Sequence, residues 1–303
     1  MCVRTPLVRL DPIDRNAPEV FLKLEIFQPV GSFKIRGAMN AVSQLPASAL
    51  AKGVWTVSAG NAAQGVALAA RKAGARASVL VMETAPATKL RAIERLGATI
   101  VKATYEEAWK AVEAHASDRM TGHFVHPFDD DQFISGNGTI GLEILEDLPD
   151  VDAVIAPIGG GGLLCGIGCA VRAIHPHVKI YAAEPATAAP LSASMAAGRP
   201  MRFEGWTASF VDGAGGRSVL PSMWPLLSQW VDGSIVVSLE EAARAMKLAA
   251  ERCHVIAEGA AACAIAAALS PQIRDAGHRR IAAVVSGGNI DLSRFASLTE
   301  ACV

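Results

Sequence analysis

Residues 153–164 read Ala-Val-Ile-Ala-Pro-Ile-Gly-Gly-Gly-Gly-Leu-Leu, an apolar run that passes through four glycines into a second apolar run. The first run is short and unbroken, as in a buried strand, and the second, which extends to Ile174, is long enough for a helix. Strands that are apolar at every position are buried on both faces, as in parallel sheets covered by helices. This succession predicts an α/β protein, with either a closed (β/α)₈ barrel or one or two open, doubly wound sheets.

The same alternation of apolar strands and Ala-rich helices continues along most of the chain. The other strands are predicted at residues 20–24, 54–57, 77–82, 99–102, 123–126, 179–183, 235–237 and 281–285. Helices are predicted at residues 62–73, 87–96, 105–116, 132–145, 162–174, 239–252 and 259–269. The segment 187–221 is rich in Ala, Gly, Ser and Pro, and it is predicted to be the loosest, with a short element near 191–196.

Composition excludes several classes of function. The 303 residues are 51% hydrophobic, and 28 basic residues balance 29 acidic ones, so the core is ample and no basic surface for nucleic acid is expected. Apolar stretches are interrupted well before the length of a membrane span. Residues 1–11 (MCVRTPLVRLD) contain no apolar signal region, which predicts a cytoplasmic protein.

Lys34 follows one of the predicted strands and opens an apolar helix, with Ser32 placed as the helix N-cap. Burial and the positive end of the helix dipole both disfavour an ammonium group at this position. A lysine with a lowered pKa is a nucleophile for carbonyl groups and can form a Schiff base. The alternative is a surface lysine that extends from a helix end into water, which is the commoner case for a single lysine.

A polar turn, Ser58-Ala59-Gly60-Asn61-Ala62, lies between the strand at 54–57 and the next helix. Backbone N–H groups at such a helix N-terminus, together with the hydroxyl of Ser58, suit a carboxylate. The amide of Asn61 can reach a phenolic or carbonyl oxygen. The alternative is an ordinary capped turn without a ligand.

The four glycines Gly159, Gly160, Gly161 and Gly162 allow the backbone to wrap around an anion, and phosphate is the expected guest. They do not form a dinucleotide-binding motif, because Leu164 or Cys165 stands where the third glycine is needed. Nor do they form a P-loop, since no Lys-Ser/Thr pair follows. A purely structural run of four glycines is costly in chain entropy, which favours the phosphate-binding interpretation.

Two further features carry candidate chemistry. Ser286, in Ser286-Gly287-Gly288-Asn289 after the last strand, presents a hydroxyl that can hydrogen-bond a ring nitrogen, or it forms a simple turn. His115, His123 and His126 either supply metal ligands or are ordinary polar residues near a strand end, and the composition favours the second.

In combination these segments closely resemble the fold-type II (tryptophan synthase beta-like) pyridoxal-phosphate enzymes, specifically the serine/threonine dehydratase and serine racemase group. The resemblance extends from Arg4-Thr5-Pro6-Leu7 to Ser286-Gly287-Gly288-Asn289 and includes Gly136-Asn137-Gly138-Thr139 and Glu258-Gly259-Ala260. It implies two open α/β domains with mostly parallel sheets. A large cofactor domain would comprise residues 1–52 and 131–303, with a small mobile domain at 53–130. A homodimer is also implied.

The resemblance assigns a role to each candidate residue. Lys34 would hold pyridoxal 5'-phosphate (PLP) as a Schiff base and act as the catalytic base, with Phe33 against the ring. Asn61 would bind the 3-hydroxyl, and Ser286 would face the pyridine nitrogen. The phosphate would be bound by Gly159, Gly160, Gly161, Gly162 and Leu163. The substrate carboxylate would be bound by Ser58 and the backbone of Ala59, Gly60, Asn61 and Ala62.

Three departures from the family pattern refine these expectations. Ala59 replaces the serine with which racemases protonate the second face, which favours elimination over racemisation. Ala62 replaces a histidine usual in dehydratases, which leaves space beside the substrate. Glu184 is kept from the family's divalent-cation site, but Pro190 stands where a carboxylate is expected, so no metal is predicted.

The expected activity is therefore a PLP-dependent ammonia-lyase that dehydrates serine, threonine or a bulkier β-substituted serine. A neutral hydroxyl at Ser286 leaves the cofactor ring a weaker electron sink, which favours prompt loss of a β-leaving group. The alternatives are an amino-acid racemase, a β-replacement synthase of the same fold, and a non-catalytic ligand-binding protein.

Overall fold

The computed structural model describes residues 2–11 and 17–302. Their strands are β1 (Leu7–Arg9), β2 (Glu19–Leu24), β3 (Val54–Val57), β4 (Ala77–Met82), β5 (Thr99–Ala103), β6 (His123–Phe124), β7 (Ala153–Pro157), β8 (Lys179–Pro185), β9 (Gly233–Val237) and β10 (Arg280–Val285). Their α-helices are α1 (Lys34–Ser43), α2 (Ala47–Lys52), α3 (Asn61–Lys72), α4 (Ala87–Arg95), α5 (Tyr105–Ala114), α6 (Asp131–Asp147), α7 (Gly162–Ile174), α8 (Pro190–Ala197), α9 (Trp224–Trp230), α10 (Leu239–Cys253), α11 (Gly259–Ala268), α12 (Pro271–Asp275) and α13 (Leu292–Glu300).

The chain divides into two compact units. The small unit comprises Met1–Val3 and Gln28–Asn137, and the large unit comprises Arg4–Phe27 and Gly138–Val303. The first part of α6 belongs to the small unit and the remainder to the large one.

The large unit contains a six-stranded sheet with the order β1-β2-β10-β7-β8-β9. Only the edge strand β1 is antiparallel to its neighbour; the other pairs are parallel, with Val285 opposite Leu24 in the β10–β2 pair. Helix α11 consists almost entirely of alanine and other small residues, and all ten of its residues are buried. Small side chains let this helix lie close to the sheet, so α11 forms the centre of the large core.

The small unit contains a four-stranded parallel sheet with the order β5-β4-β3-β6. Helix α3 buries Ala63, Val66 and Ala67 in a core shared with α1 and β4. Trp55 and Phe124 stack on the other side of β3 and β6, with ring centroids 4.1 Å apart. Both sheets are open, so the predicted open-sheet α/β fold is confirmed and the closed barrel is excluded.

Most predicted elements lie within a few residues of their observed bounds, and β3, β4 and α7 have the predicted ones. The strand predicted at 123–126 ends at Phe124, because only Val54 and Trp55 pair with it. Strand β1 was not predicted, since its three residues are too short to show a pattern.

The small unit is larger than the predicted small domain. Residues 28–52 and 131–137 were predicted to belong to the large domain, whereas their contacts place them in the small unit. Helix α1 packs against α3, and a Cβ on Gly65 would lie 3.0 Å from the carbonyl oxygen of Lys34. The mobility predicted for residues 53–130 stays a prediction.

Candidate active site

The candidate nucleophile Lys34 is the first residue of α1. Phe33, not Ser32, is the N-cap, and neither supplies a side-chain cap, so the predicted capping role of Ser32 is wrong. Ser32 lies one residue too early, and its buried hydroxyl has no hydrogen-bond partner among the described residues. The backbone instead closes the first turn itself, because the N–H of Arg36 donates to the carbonyl of Phe33.

The Lys34 side chain is half-buried among aromatic rings. Its Nζ lies 5.2 Å from the ring centre of Phe33 and 5.3 Å from that of Phe133. Nζ donates a hydrogen bond of 2.6 Å to the carbonyl oxygen of Pro127. Burial without a charged partner lowers the pKa of Lys34 to about 8. More of this amine than of an ordinary lysine is therefore neutral, and nucleophilic, close to neutral pH.

The turn before α3 lies in the same unit as Lys34. Helix α3 begins at Asn61 after Gly60, and the N–H of Gly60 donates to the hydroxyl of Ser58, 3.1 Å away. Ala62 is buried in the first turn of this helix. Because Gly65 brings α3 against the start of α1, the small unit holds the turn and the lysine helix in a fixed relation.

Two histidines and an aspartate cluster beside the loop that follows β6. One potential ligand atom each of His115, His126 and Asp129 lie within 4.8 Å of one another. However, Nδ1 of His126 accepts hydrogen bonds from the N–H groups of Phe128 and Asp129, at 3.3 and 2.7 Å. An imidazole that binds a metal through Nε2 needs a proton on Nδ1, and that proton would face two donors. The cluster is therefore poorly arranged for a metal ion.

The glycine loop and Ser286 lie at one edge of the large sheet. They follow β7 and β10, which are neighbouring parallel strands, so their carboxyl ends meet at that edge. Gly161 is the N-cap of α7 and has a φ of 98°, a conformation that favours glycine. A Cβ on Gly159 would lie 2.9 Å from the carbonyl oxygen of Gly213. Only glycine therefore allows this loop to fold as it does at the start of a long helix.

These residues have the chemistry that PLP requires. In the large unit, a glycine loop at the N-terminus of the thirteen-residue helix α7 suits a phosphate, and Ser286 supplies a buried neutral hydroxyl for the ring nitrogen. In the small unit, Lys34 supplies an amine of lowered pKa beside two aromatic rings. Each unit therefore contains its own part of the predicted set of cofactor ligands.

Glu184 does not have the arrangement of a cation ligand. Its buried carboxylate accepts hydrogen bonds of 2.8 Å from the N–H groups of Leu191 and Ser192, and one of 2.5 Å from the hydroxyl of Ser234. Burial raises the pKa of Glu184. The carboxylate thus caps α8, where Pro190 has no N–H to offer. The expectation that the family's cation site is absent from this chain stays a prediction.

Comparison with known proteins identifies the class. Residues 2–287 match the family model described as pyridoxal-phosphate dependent enzyme, and the chain belongs to that family. No helix among the described residues has the length and apolarity needed to cross a membrane.

The relatives are amino-acid enzymes. The chain is 39% identical to an L-threonine ammonia-lyase of Thermotoga maritima over 91% of this chain and 68% of that protein. It is 38% identical to a serine racemase of Oryza sativa over 95% of this chain and 86% of that protein. The solved structure of the processed form of threonine deaminase isoform 2 from Solanum lycopersicum superposes with a TM-score of 0.90, at 34% identity, over 99% of this chain and 88% of that one.

These findings confirm the predicted family, fold type and cofactor, and the chain is a PLP-dependent lyase. The roles of individual site residues stay predictions. Sequence reasoning missed Pro127, whose carbonyl oxygen binds the Lys34 amine, and it placed Gly65 in the candidate turn segment without the close contact that Gly65 makes with the Lys34 backbone. The signal for Pro127 was its position after a predicted strand, at the sheet edge where ligand sites form. Nothing local to Gly65 marked it, because its role depends on a helix that begins far away in the chain.

Gly161→Ala is expected to weaken PLP binding about tenfold. Alanine at a φ of 98° costs roughly 1–2 kcal/mol, and the loop can relieve that strain by moving its backbone N–H groups. Fluorescence titration with PLP measures the affinity. Gly277→Ala is the matched control, because Gly277 lies in the same unit with a φ of 78° and open space around it. Equal PLP affinity in both variants would contradict a phosphate-binding role for the loop.

Proposed function

We propose that this enzyme removes water and then ammonia from a β-hydroxy-α-amino acid and produces a 2-oxo acid. The observation that carries the proposal is Lys34, an amine of lowered pKa held at a defined position in a unit that also contains the Ser58–Ala62 turn. Similarity to threonine ammonia-lyases supports the same activity. We also infer that the enzyme is cytoplasmic, from the lack of an apolar signal region, and that it acts on a small amino-acid substrate and forms a homodimer, as the resemblance implies.

In the proposed mechanism Lys34 first binds PLP covalently, the substrate amine then displaces it, and the freed Lys34 amine acts as the base. As the family resemblance implies, the glycine loop Gly159–Gly162 with Leu163 would hold the phosphate, Ser286 would hydrogen-bond the ring nitrogen, and Phe33 would contact the ring. Bound PLP supplies an electron-withdrawing ring that stabilises negative charge at the substrate's Cα. The Lys34 amine takes the Cα proton, and the β-hydroxyl leaves with one proton as water. The released enamine then reacts with water to give the 2-oxo acid and ammonia.

The substrate is oriented by the turn before α3. Ser58 and the backbone of Ala59, Gly60, Asn61 and Ala62 would bind its carboxylate, and Asn61 would bind the 3-hydroxyl of PLP. Ala59 has no group that can give a proton to the second face of Cα. Elimination is therefore favoured over inversion.

The test is incubation of the purified enzyme with L-serine, L-threonine, 3-hydroxyaspartate and phenylserine. We expect 2-oxo acid and ammonia in equal amounts, with little D-serine from L-serine. Similarity to a serine racemase makes inversion the second candidate, and predominant D-serine would establish it and reject the role given to Ala59. Absence of turnover with every compound, in protein that binds PLP, would reject the proposed reaction.

Ala62 is expected to select bulkier substrates. It is buried in the first turn of α3, and replacement of the usual histidine opens space beside the amino-acid site. Burial of an apolar β-substituent there contributes roughly 1–3 kcal/mol, so phenylserine should have a kcat/KM about tenfold or more above that of L-serine. Ala62→His should reverse this preference.

Ala73→His serves as the control, because Ala73 is exposed at the opposite end of the same helix. It should leave the ranking of substrates unchanged. If L-serine and L-threonine are better substrates than phenylserine, and Ala62→His does not alter that order, the enlarged site does not exist.

A further inference from the structure

His126 is a buried histidine that the proposed mechanism does not use. Only 1% of its surface is exposed, and it lies in the loop that follows β6. Its Nδ1 accepts two backbone hydrogen bonds, 3.3 Å from the N–H of Phe128 and 2.7 Å from that of Asp129. A nitrogen that faces two donors cannot carry a hydrogen of its own, so the ring is neutral with its proton on Nε2.

The surroundings keep the ring neutral. Burial lowers the pKa of His126 to about 3, and the neighbouring charges of His115 and Lys34 act in the same direction, while the carboxylate of Asp129 opposes them. The ring of His115 stacks on that of His126, with centroids 4.5 Å apart, and its Nε2 lies 3.4 Å from a carboxylate oxygen of Asp129. His126 therefore acts as a permanent hydrogen-bond acceptor rather than as an acid or a base.

The acceptor holds the turn that contacts the catalytic lysine. Pro127 lies between His126 and the two residues whose N–H groups His126 binds. The carbonyl oxygen of Pro127 accepts the hydrogen bond from Nζ of Lys34, at 2.6 Å. The N–H of Phe128, which belongs to the same peptide group as this carbonyl, donates to the imidazole of His126. The proline ring restricts φ at Pro127. The carbonyl is thus fixed by His126.

We propose that His126 is a positioning residue for Lys34. By fixing the Pro127 carbonyl it defines where the amine lies whenever Lys34 is not covalently bound to PLP, and it directs one N–H away from the reactants. The amine lone pair is then free to attack or to take a proton. The inference deepens the role proposed for Lys34, but it concerns the geometry of the amine and not the identity of the substrate.

The variants His126→Leu and His126→Asn separate positioning from filling of space. Leucine keeps the volume but accepts no hydrogen bond, whereas Oδ1 of asparagine can take the place of Nδ1. The measurement is the rate at which added PLP becomes covalently attached to the full-length protein, followed by absorbance as a function of pH. For His126→Leu we expect the limiting rate at high pH to fall about tenfold. The midpoint of the pH profile should move lower, because a Pro127 carbonyl that is no longer fixed by the imidazole stabilises the ammonium form of Lys34 less.

His126→Asn should restore the rate and the midpoint to near wild-type values. His123→Leu is the control, because His123 is an exposed histidine on the adjacent strand β6. A folded His126→Leu protein with a wild-type rate and pH profile would overturn the proposal. So would an asparagine variant as impaired as the leucine variant.

A second measurement does not depend on any variant folding. In the wild-type holoenzyme labelled with ¹⁵N-histidine, nuclear magnetic resonance should show His126 neutral, with hydrogen on Nε2, from about pH 5 to pH 8. Titration of His126 within this interval, or hydrogen on Nδ1, would overturn the proposal. Neither result depends on substrate turnover, so failure of this inference is distinguishable from failure of the proposed reaction.

Discussion

Lys34→Met is expected to abolish the absorbance of lysine-bound PLP and to lower turnover by about a thousandfold or more. Methionine keeps an apolar side chain of nearly the same length, and it removes the amine that lies 5.2 Å from the ring centre of Phe33 and 5.3 Å from that of Phe133. That amine is assigned both the covalent bond to PLP and the removal of the Cα proton, so no second group can replace it. Absorbance spectra and a coupled assay for 2-oxo acid measure the two effects.

Lys52→Met is the control for this variant, because Lys52 is an exposed lysine at the end of α2 in the same unit. It should keep the spectrum and the turnover of the wild type. A Lys34→Met protein that retains full turnover would reject Lys34 as the catalytic base.

The same variant tests whether Lys34 is buried as an amine. Lysine ordinarily titrates near 10.5, and burial lowers the pKa of Lys34 to about 8. Between these values the unfolded chain binds more protons than the folded PLP-free protein, so wild-type stability rises with pH across this interval. Below pH 8 the folded protein contains Lys34 as a buried ammonium, and the wild type then lacks the stability that it gains at higher pH. In urea unfolding without PLP, Lys34→Met should therefore have a larger stability advantage at about pH 7 than at about pH 10.

Lys23→Met is expected to cost about 3–5 kcal/mol of folding free energy in the large unit. Lys23 lies in β2, and its side chain is fully buried. Nζ forms an ion pair with Glu143 at 2.7 Å and donates a hydrogen bond to the carbonyl of Thr5, also at 2.7 Å. Methionine fills the space but removes the positive charge from beside a carboxylate that is only 14% exposed. The loss is large because the desolvated carboxylate remains.

Urea unfolding followed by circular dichroism measures the effect. Lys179→Met is the matched control, because Lys179 pairs with Asp232 at 3.0 Å but is 51% exposed, and such surface pairs contribute up to about 1 kcal/mol. Lys23→Met with Glu143→Leu should recover part of the loss, since both charges are then removed. If Lys23→Met and Lys179→Met lower the free energy of unfolding equally, the buried ion pair contributes no more to stability than the surface pair.

The fold and much of the candidate site could be predicted from local patterns. A strand that is covered by helices on both faces is apolar at nearly every position, so a short apolar run indicates a buried strand. The bounds predicted in this way for β3 and β4 are the observed ones. The glycine loop Gly159–Gly162 was evident because so many consecutive glycines are rare without a backbone requirement, and Gly161 has the positive φ that explains it. Lys34 was recognisable from its place at the start of an apolar helix.

Other features depend on residues that meet only in the tertiary structure. The acceptor of Lys34 is a carbonyl 93 positions along the chain, and the partner of Lys23, which lies in β2, is on helix α6. Parallel strands bring their carboxyl ends to one edge in an order unrelated to their order in sequence, so no local pattern reveals which loops meet there. The sequence by itself thus determined the α/β class and the buried parallel strands, because these follow from hydrophobic periodicity. The open sheets were predicted from the family resemblance, and the site residues were proposed from residue type and from that resemblance. Only the tertiary structure decided how Lys34 is held and what Glu184 binds, because hydrogen bonds between distant segments exist only after the sheets have assembled.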